Sequence, residues 1–178
     1  AFLLPSRADL GRWLEAALTA GVPLEGASDH AVSEALYLSD PEGNGIEIYA
    51  DRARVDWPVR GGEIAMTTAR MDIAAVRAEG ARAGAAALRF PAGARVGHVH
   101  LKVGDAARAE EFYAGRLGFD VTHRRPQAAF FAMGGYHHHL AANAWGSAGA
   151  GPRRPGALGL AEVGLAVTDT ALWASLSA

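Results

Sequence analysis

Three segments of this chain share one plan, and a chain built from repeats must fold as copies of one supersecondary unit. The first, "LLPSRADLGRWLEAALTAGVPL", begins extended and turns helical. Ser6 is a good N-cap, with Asp9 three residues on as its capping-box partner. Leu10, Trp13, Leu14, Ala17 and Leu18 then fall on one helical face. Gly21 and Pro23 stop the helix. The second, "GHVHLKVGDAARAEEFYAGRLGFDVT", opens with strict alternation. Val99, Leu101 and Val103 face one side, while His98, His100 and Lys102 face the other. Asp105 caps a helix whose stripe is Ala109, Phe112, Tyr113 and Leu117, and Gly118 ends it. The third, "AEVGLAVTDTALWASL", aligns Val167 with Val103 and Asp169 with Asp105.

β-Hairpins lie between the copies. One spans residues 34–50 around "DPEGNG", and the other is "AAFFAMGGYHHHLAANAW", turning at Gly134-Gly135. The repeating unit therefore reads strand, helix, then several strands, an α+β arrangement. Residues 58–95 connect two units and include "DIAAVRAEGARAGAAALR", which reads as helix in part. Residues 146–159 form a Gly/Pro-rich loop.

The formal net charge of -2 argues against nucleic acid, which selects a basic face. There are no cysteines, so a metal here must use His, Asp, Glu or water. No stretch of eighteen apolar residues offers a membrane span. "AFLLPSRADL" lacks the charged start and cleavage site of a signal peptide, so the expectation is a cytoplasmic protein.

Five of the seven histidines sit in "GHVH" and "YHHHL". Alternation puts His98 and His100 on one strand face, and His137 and His139 on one face of another strand with His138 opposite. If both strands share a sheet, four imidazoles face one way, a donor set that suits iron, zinc, copper or nickel. The alternative is a hydrogen-bonded polar layer without metal. No acidic residue is evident near them except Glu162, which the repeat aligns with His98. The other unusual charge is Glu47, set between Ile46 and Ile48 in "GNGIEIYAD". On periodicity alone it is as readily an exposed residue of an edge strand as an inward one. A buried carboxylate costs several kcal/mol unless paired or metal-bound.

"SDHAVSEALYLSDPEGNGIEIYADR", "GHVHLKVGDAARAEEFYAGRLGFDV" and "GGYHHHLAANAW" together resemble the vicinal oxygen chelate superfamily, which contains glyoxalase I, extradiol dioxygenases and bleomycin-resistance proteins. Within it they are most similar to the catechol 2,3-dioxygenase-like subgroup. The resemblance implies tandem βαβββ modules forming cupped mixed sheets. Residues 1–57 would be a partial module with its first strand truncated, 58–95 a linker, 96–150 a second module, and 151–178 the start of a further one. Full-length members have four modules, so the chain reads as a fragment or as a sequence lacking residues at its ends and in loops. An incomplete module pair leaves a sheet edge that a second copy can pair with, giving a homo-oligomer.

The resemblance also implies a site. The family's iron is held by two His and one carboxylate on one face, leaving positions open for substrate and dioxygen. Glu47 matches the carboxylate, while the repeat places the counterpart of His98 about two residues before Ala1. His30 matches the family's acid–base histidine, and Tyr37 the tyrosine that hydrogen-bonds substrate oxygens. The same residues have plainer readings: His30 as a turn cap beside Asp29, Tyr37 as sheet packing. Glyoxalase I draws ligands from strand positions like those of His98, His100, His137 and His139. The implied function is extradiol cleavage of a catecholic diol by dioxygen, with Fe(II), or Mn, Ni or Zn in its place. A glyoxalase-type metal-dependent isomerase and a metal-free ligand-binding protein of the bleomycin-resistance kind are the alternatives.

Overall fold

The structure, a computed structural model, describes residues 1–166 and 170–176. The first module comprises β1 (Phe2–Leu3), α1 (Arg7–Thr19), β2 (Gly26–Asp29), β3 (Ser33–Ser39) and β4 (Gly45–Asp51). The connection holds a small hairpin of β5 (Val59–Arg60) and β6 (Glu63–Ile64), then β7 (Ala69–Arg70), α2 (Ile73–Ala83) and β8 (Arg95–Val96). The second module comprises β9 (Val99–Lys102), α3 (Ala106–Glu110), β10 (Asp120–Arg125), β11 (Ala128–Ala132) and β12 (Leu140–Asn143), and α4 (Thr170–Leu176) follows. Among the described residues no helix is long and apolar enough to cross a membrane.

Local chemistry sets the boundaries. The Ser6 hydroxyl accepts the Asp9 N–H at 3.1 Å, and the Asp105 carboxylate accepts those of Ala107 and Arg108. Both satisfy donors that the first helical turn leaves unpaired. Asp40 folds the β3–β4 turn by accepting the N–H groups of Glu42 and Asn44 and the Asn44 amide, while Gly43 supplies the positive φ.

Both modules have the same topology. The first sheet runs β7-β2-β3-β4-β1-β8 and the second β10-β11-β12-β9. In each, the strand before the helix lies parallel to the module's last strand, β1 beside β4 and β9 beside β12. β8 pairs antiparallel with β1, and the chain passes through Gly97 and His98 into β9. The stretch from Arg95 to Lys102 thus belongs to both sheets and brings their edges together.

Alternation then sorts the faces. Leu36, Ile48 and Ala50 pack under α1 against Leu10, Trp13, Leu14 and Ala17. Ala129, Phe131, Leu140 and Ala142 pack under α3. The opposite faces carry Tyr49 and Ala35 in one sheet and Ala128, Phe130 and Ala141 in the other.

Three expectations need correction. Leu18 and Phe112 are not core; they are 45% and 46% exposed. For Phe112 the reason is a π-helical stretch, Glu111–Arg116, that continues α3. Its wider turn rotates the stripe, so Tyr113 and Ala114 take the inward positions. In the third repeat, residues 161–166 are exposed and outside any strand. A strand exists only against a neighbour, and this segment packs along no sheet edge. Val167 and Asp169 lie outside the described residues.

α1 and α2 cross at two glycines. A Cβ on Gly80 would collide with the backbone of Gly11 and Arg12, and one on Gly11 with Val76 O and Gly80. Glycine normally weakens a helix interior by about 0.5–1 kcal/mol relative to alanine. Here the backbone approach reverses that preference. Gly80→Ala is expected to destabilise by about 1–3 kcal/mol in equilibrium denaturation; a gain would show that the crossing yields freely.

Candidate metal centre

Glu47 sits in β4, between β3 and β1, so it is not on an edge strand. Its neighbours Ile46 and Ile48 join the α1 core, which turns Glu47, Tyr49 and Asp51 to the opposite face. That face meets the start of β9. His98 Nε2 lies 2.9 Å from Glu47 Oε2, with the His98 side chain 2% exposed. The contact joins the last strand of one module to the first strand of the next. Gly97 permits it, because a Cβ there would overlap the Tyr49 ring and hydroxyl.

Burial acts to raise the Glu47 carboxyl, but the hydrogen bond and charge of His98 outweigh it and hold the group below its ordinary range. Burial likewise lowers the His98 imidazole, against the upward pull of Glu47. Carboxylate and neutral imidazole are the forms in which these groups bind metals. His98 Nδ1 is the one buried side-chain polar atom without a hydrogen-bond partner among the described residues. Such orphans are rare and call for a reason beyond packing.

Tyr37 stands directly across the β3–β4 ladder from Glu47. Its hydroxyl is 2.7 Å from His30 Nε2, and His30 Nδ1 is 2.7 Å from the Thr67 carbonyl. The carbonyl can only accept, so Nδ1 carries a proton. In that tautomer Nε2 is the ring's acceptor and faces the Tyr37 hydroxyl. Burial, and next the negative charge of Glu47, push the Tyr37 phenol well above its usual range, so it remains a donor.

The histidine clusters form a different arrangement from the strand pattern expected. Residues 133–139 are loop, and β12 begins only at Leu140, so parity does not assign faces to His137, His138 and His139. His137 and His138 are both buried, whereas His139 is exposed and accepts the Met133 N–H. His100 shares the side of His98 but hydrogen-bonds Asn143 at 2.8 Å. His100 and His139 therefore stand apart from the Glu47 contact. Among the described residues, no three His, Asp or Glu side chains converge as one metal-binding group.

Acidic partners exist that the sequence did not reveal. Asp51 takes His137 Nε2 at 2.9 Å on one oxygen and the Tyr136 hydroxyl at 2.8 Å on the other. His137 Nδ1 in turn meets His138 Nδ1 at 2.8 Å, one nitrogen donating and the other accepting. Tyr49 donates to the Tyr136 oxygen at 2.9 Å. The His138 ring packs on His98 with centroids 4.2 Å apart. Asp51 was legible in principle, since it lies two and four positions beyond Tyr49 and Glu47 on the same alternation. Replacing it by Asn would set an N–H2 donor against another donor. Asp51→Asn is expected to cost about 1–3 kcal/mol by chemical denaturation; an unchanged midpoint would show that the loop 133–139 docks without it.

A family model, the Glyoxalase/Bleomycin resistance protein/Dioxygenase superfamily, matches residues 95–174. The chain is 44% identical over 163 residues to "Catechol-2,3-dioxygenase" of Bacillus subtilis (strain 168), a match covering 90% of this chain and 56% of that protein. It thus spans just over half the length of this curated relative. A crystal structure of 2,2',3-trihydroxybiphenyl 1,2-dioxygenase from Sphingomonas wittichii strain RW1 matches 78% of this chain and 44% of that one, at 18% identity and a TM-score of 0.25. That likeness carries no argument about the site. The repeated strand order and the two sequence matches agree: the chain belongs to the glyoxalase/bleomycin resistance/dioxygenase superfamily.

Proposed function

We propose that the module junction holds a divalent metal, Fe(II) in the first place, and that the protein cleaves a catecholic diol with dioxygen in the extradiol manner. The observation that carries this reading is the buried Glu47–His98 contact. Its Oε2 and Nε2 lie at hydrogen-bond distance, 2.9 Å, and are a donor set that one divalent cation would accept. Glu47 and His98 would be the ligands this chain contributes, and the orphaned His98 Nδ1 fits a ring kept for more than packing. When bound, a metal there supplies Lewis acidity toward a chelating diol and a redox partner for dioxygen.

The chain's own side chains do the rest. His30 is held at Nδ1 by the Thr67 carbonyl, and its Nε2 accepts from the Tyr37 hydroxyl. If Tyr37 turns its hydroxyl to a substrate oxygen, that Nε2 lone pair is freed to take a proton from a diol hydroxyl. His138, packed on His98 and held by His137 and Asp51, gives the site a rigid imidazole wall. The 44% identity to a protein named catechol-2,3-dioxygenase supports the diol and dioxygen as substrates.

The test is metal content and ring cleavage after anaerobic purification without added metal. Near-stoichiometric iron or manganese, with dioxygen uptake on catechol, is the expected result. Glu47→Gln is expected to weaken metal binding by more than about a hundredfold, since losing even a ligand's hydrogen-bond partner costs roughly 10–100-fold. Zinc or nickel without dioxygen uptake would point to the isomerase. No metal, even on reconstitution, would leave the metal-free ligand-binding reading.

A further inference from the structure

The face of the second sheet opposite α3 is an apolar wall running up to the junction. Ala128, Phe130 and Ala141 form it, all buried although none of the helix-core residues among the described residues packs on that side. Phe130 touches His138, with ring centroids 5.2 Å apart, and His138 in turn packs on His98. The wall is therefore continuous with the Glu47–His98 contact.

Beside the His100, His123 and His138 rings that pack on Phe130, its cover includes a short strap from the connection between the modules. Met66 of that strap packs against the Ala128, Phe130 and Ala141 cluster. The strap is fastened to both modules. Thr67 N–H donates to His30 O at 3.1 Å, and Thr67 O receives the His30 ring. Arg125 of β10 donates to Thr68 Oγ1 at 3.1 Å and to Met66 O at 3.4 Å. Only a few bonds hold the strap, and Thr67 and Thr68 are exposed, which places it at the low-stability end of the fold.

We propose that residues 65–68 form a clasp over this wall and that Met66 sets the size of the apolar ring substituent the site admits. The proposal rests on the dioxygenase reading and names its substrate class: a catechol bearing an uncharged, apolar substituent. Two features argue for this. The floor uses two alanines where a half-buried strand would favour β-branched residues, and the one aliphatic side chain packed against it among the described residues is a methionine, the side chain best able to move aside. The rim cation, Arg125, commits two donors to the strap and its Nε to His123, rather than to an anionic group. The clasp also ties substrate fit to chemistry, because Thr67, the residue next to Met66, holds the His30 ring through its carbonyl.

The test compares kcat/KM for 3-phenylcatechol and catechol in the full chain loaded with Fe(II). Met66→Ala is expected to raise the ratio by about tenfold or more, and Met66→Phe to lower it, as expected for a change of several methylenes in an apolar pocket. Ratios within about twofold of wild type in both variants would overturn the proposal. Wild-type protein that cleaves neither diol would instead sink the dioxygenase reading. The clasp is then judged by hydrogen exchange. Arg125→Ala should quicken exchange at the Thr67 amide by about tenfold while β12 amides stay unchanged. An unmoved Thr67 amide rejects the clasp.

Discussion

The contact on which the site depends is a carboxylate and an imidazole from different modules, buried against each other at 2.9 Å. Neither group could be buried alone at an acceptable cost. Each is placed by strand parity: Glu47 by the alternation of β4 over the α1 core, His98 by the passage of one chain segment from the first sheet into the second. Their meeting therefore requires both modules to keep register and the edge pairing of β1 with β8 to form. A one-residue slip of β4 would turn Glu47 into the helix core and Ile48 to the junction.

A second pair repeats the logic a few ångströms away. Asp51 and His137 again join the end of the first module to the second, and Tyr49, Tyr136 and His138 complete a hydrogen-bonded layer. The two helix-covered cores are apolar, and the layer between them is polar and paired. Buried polar pairs of this kind add little net stability over an apolar interface. What they provide is a unique relative placement, because any other docking leaves a charge unmatched. That is the rigidity a metal site needs from its surroundings.

How much of this could be read from the chain follows from which rules were local. The caps at Ser6 and Asp105, the turn at Asp40–Asn44 and the alternation around Glu47 were legible, because each is fixed by residues within a few positions. The resemblance matched His30 and Tyr37 to separate roles; that the two hydrogen-bond each other is visible only in the structure. Parity failed at His137–His139 because the period-2 rule holds only inside a ladder, and these residues precede one. It failed for Phe112 because a π turn changes the helical period. The strap at Met66 was invisible: it has no periodicity, and its partners His30 and Arg125 lie far away in sequence on either side.

The most direct measurement is anomalous diffraction from crystals of the protein grown anaerobically with Mn(II). The account predicts one strong peak beside the Glu47 and His98 side chains, with Asp51 and His137 still paired to each other. A peak at His137 and His138 instead, or no ordered metal beside Glu47, would contradict it.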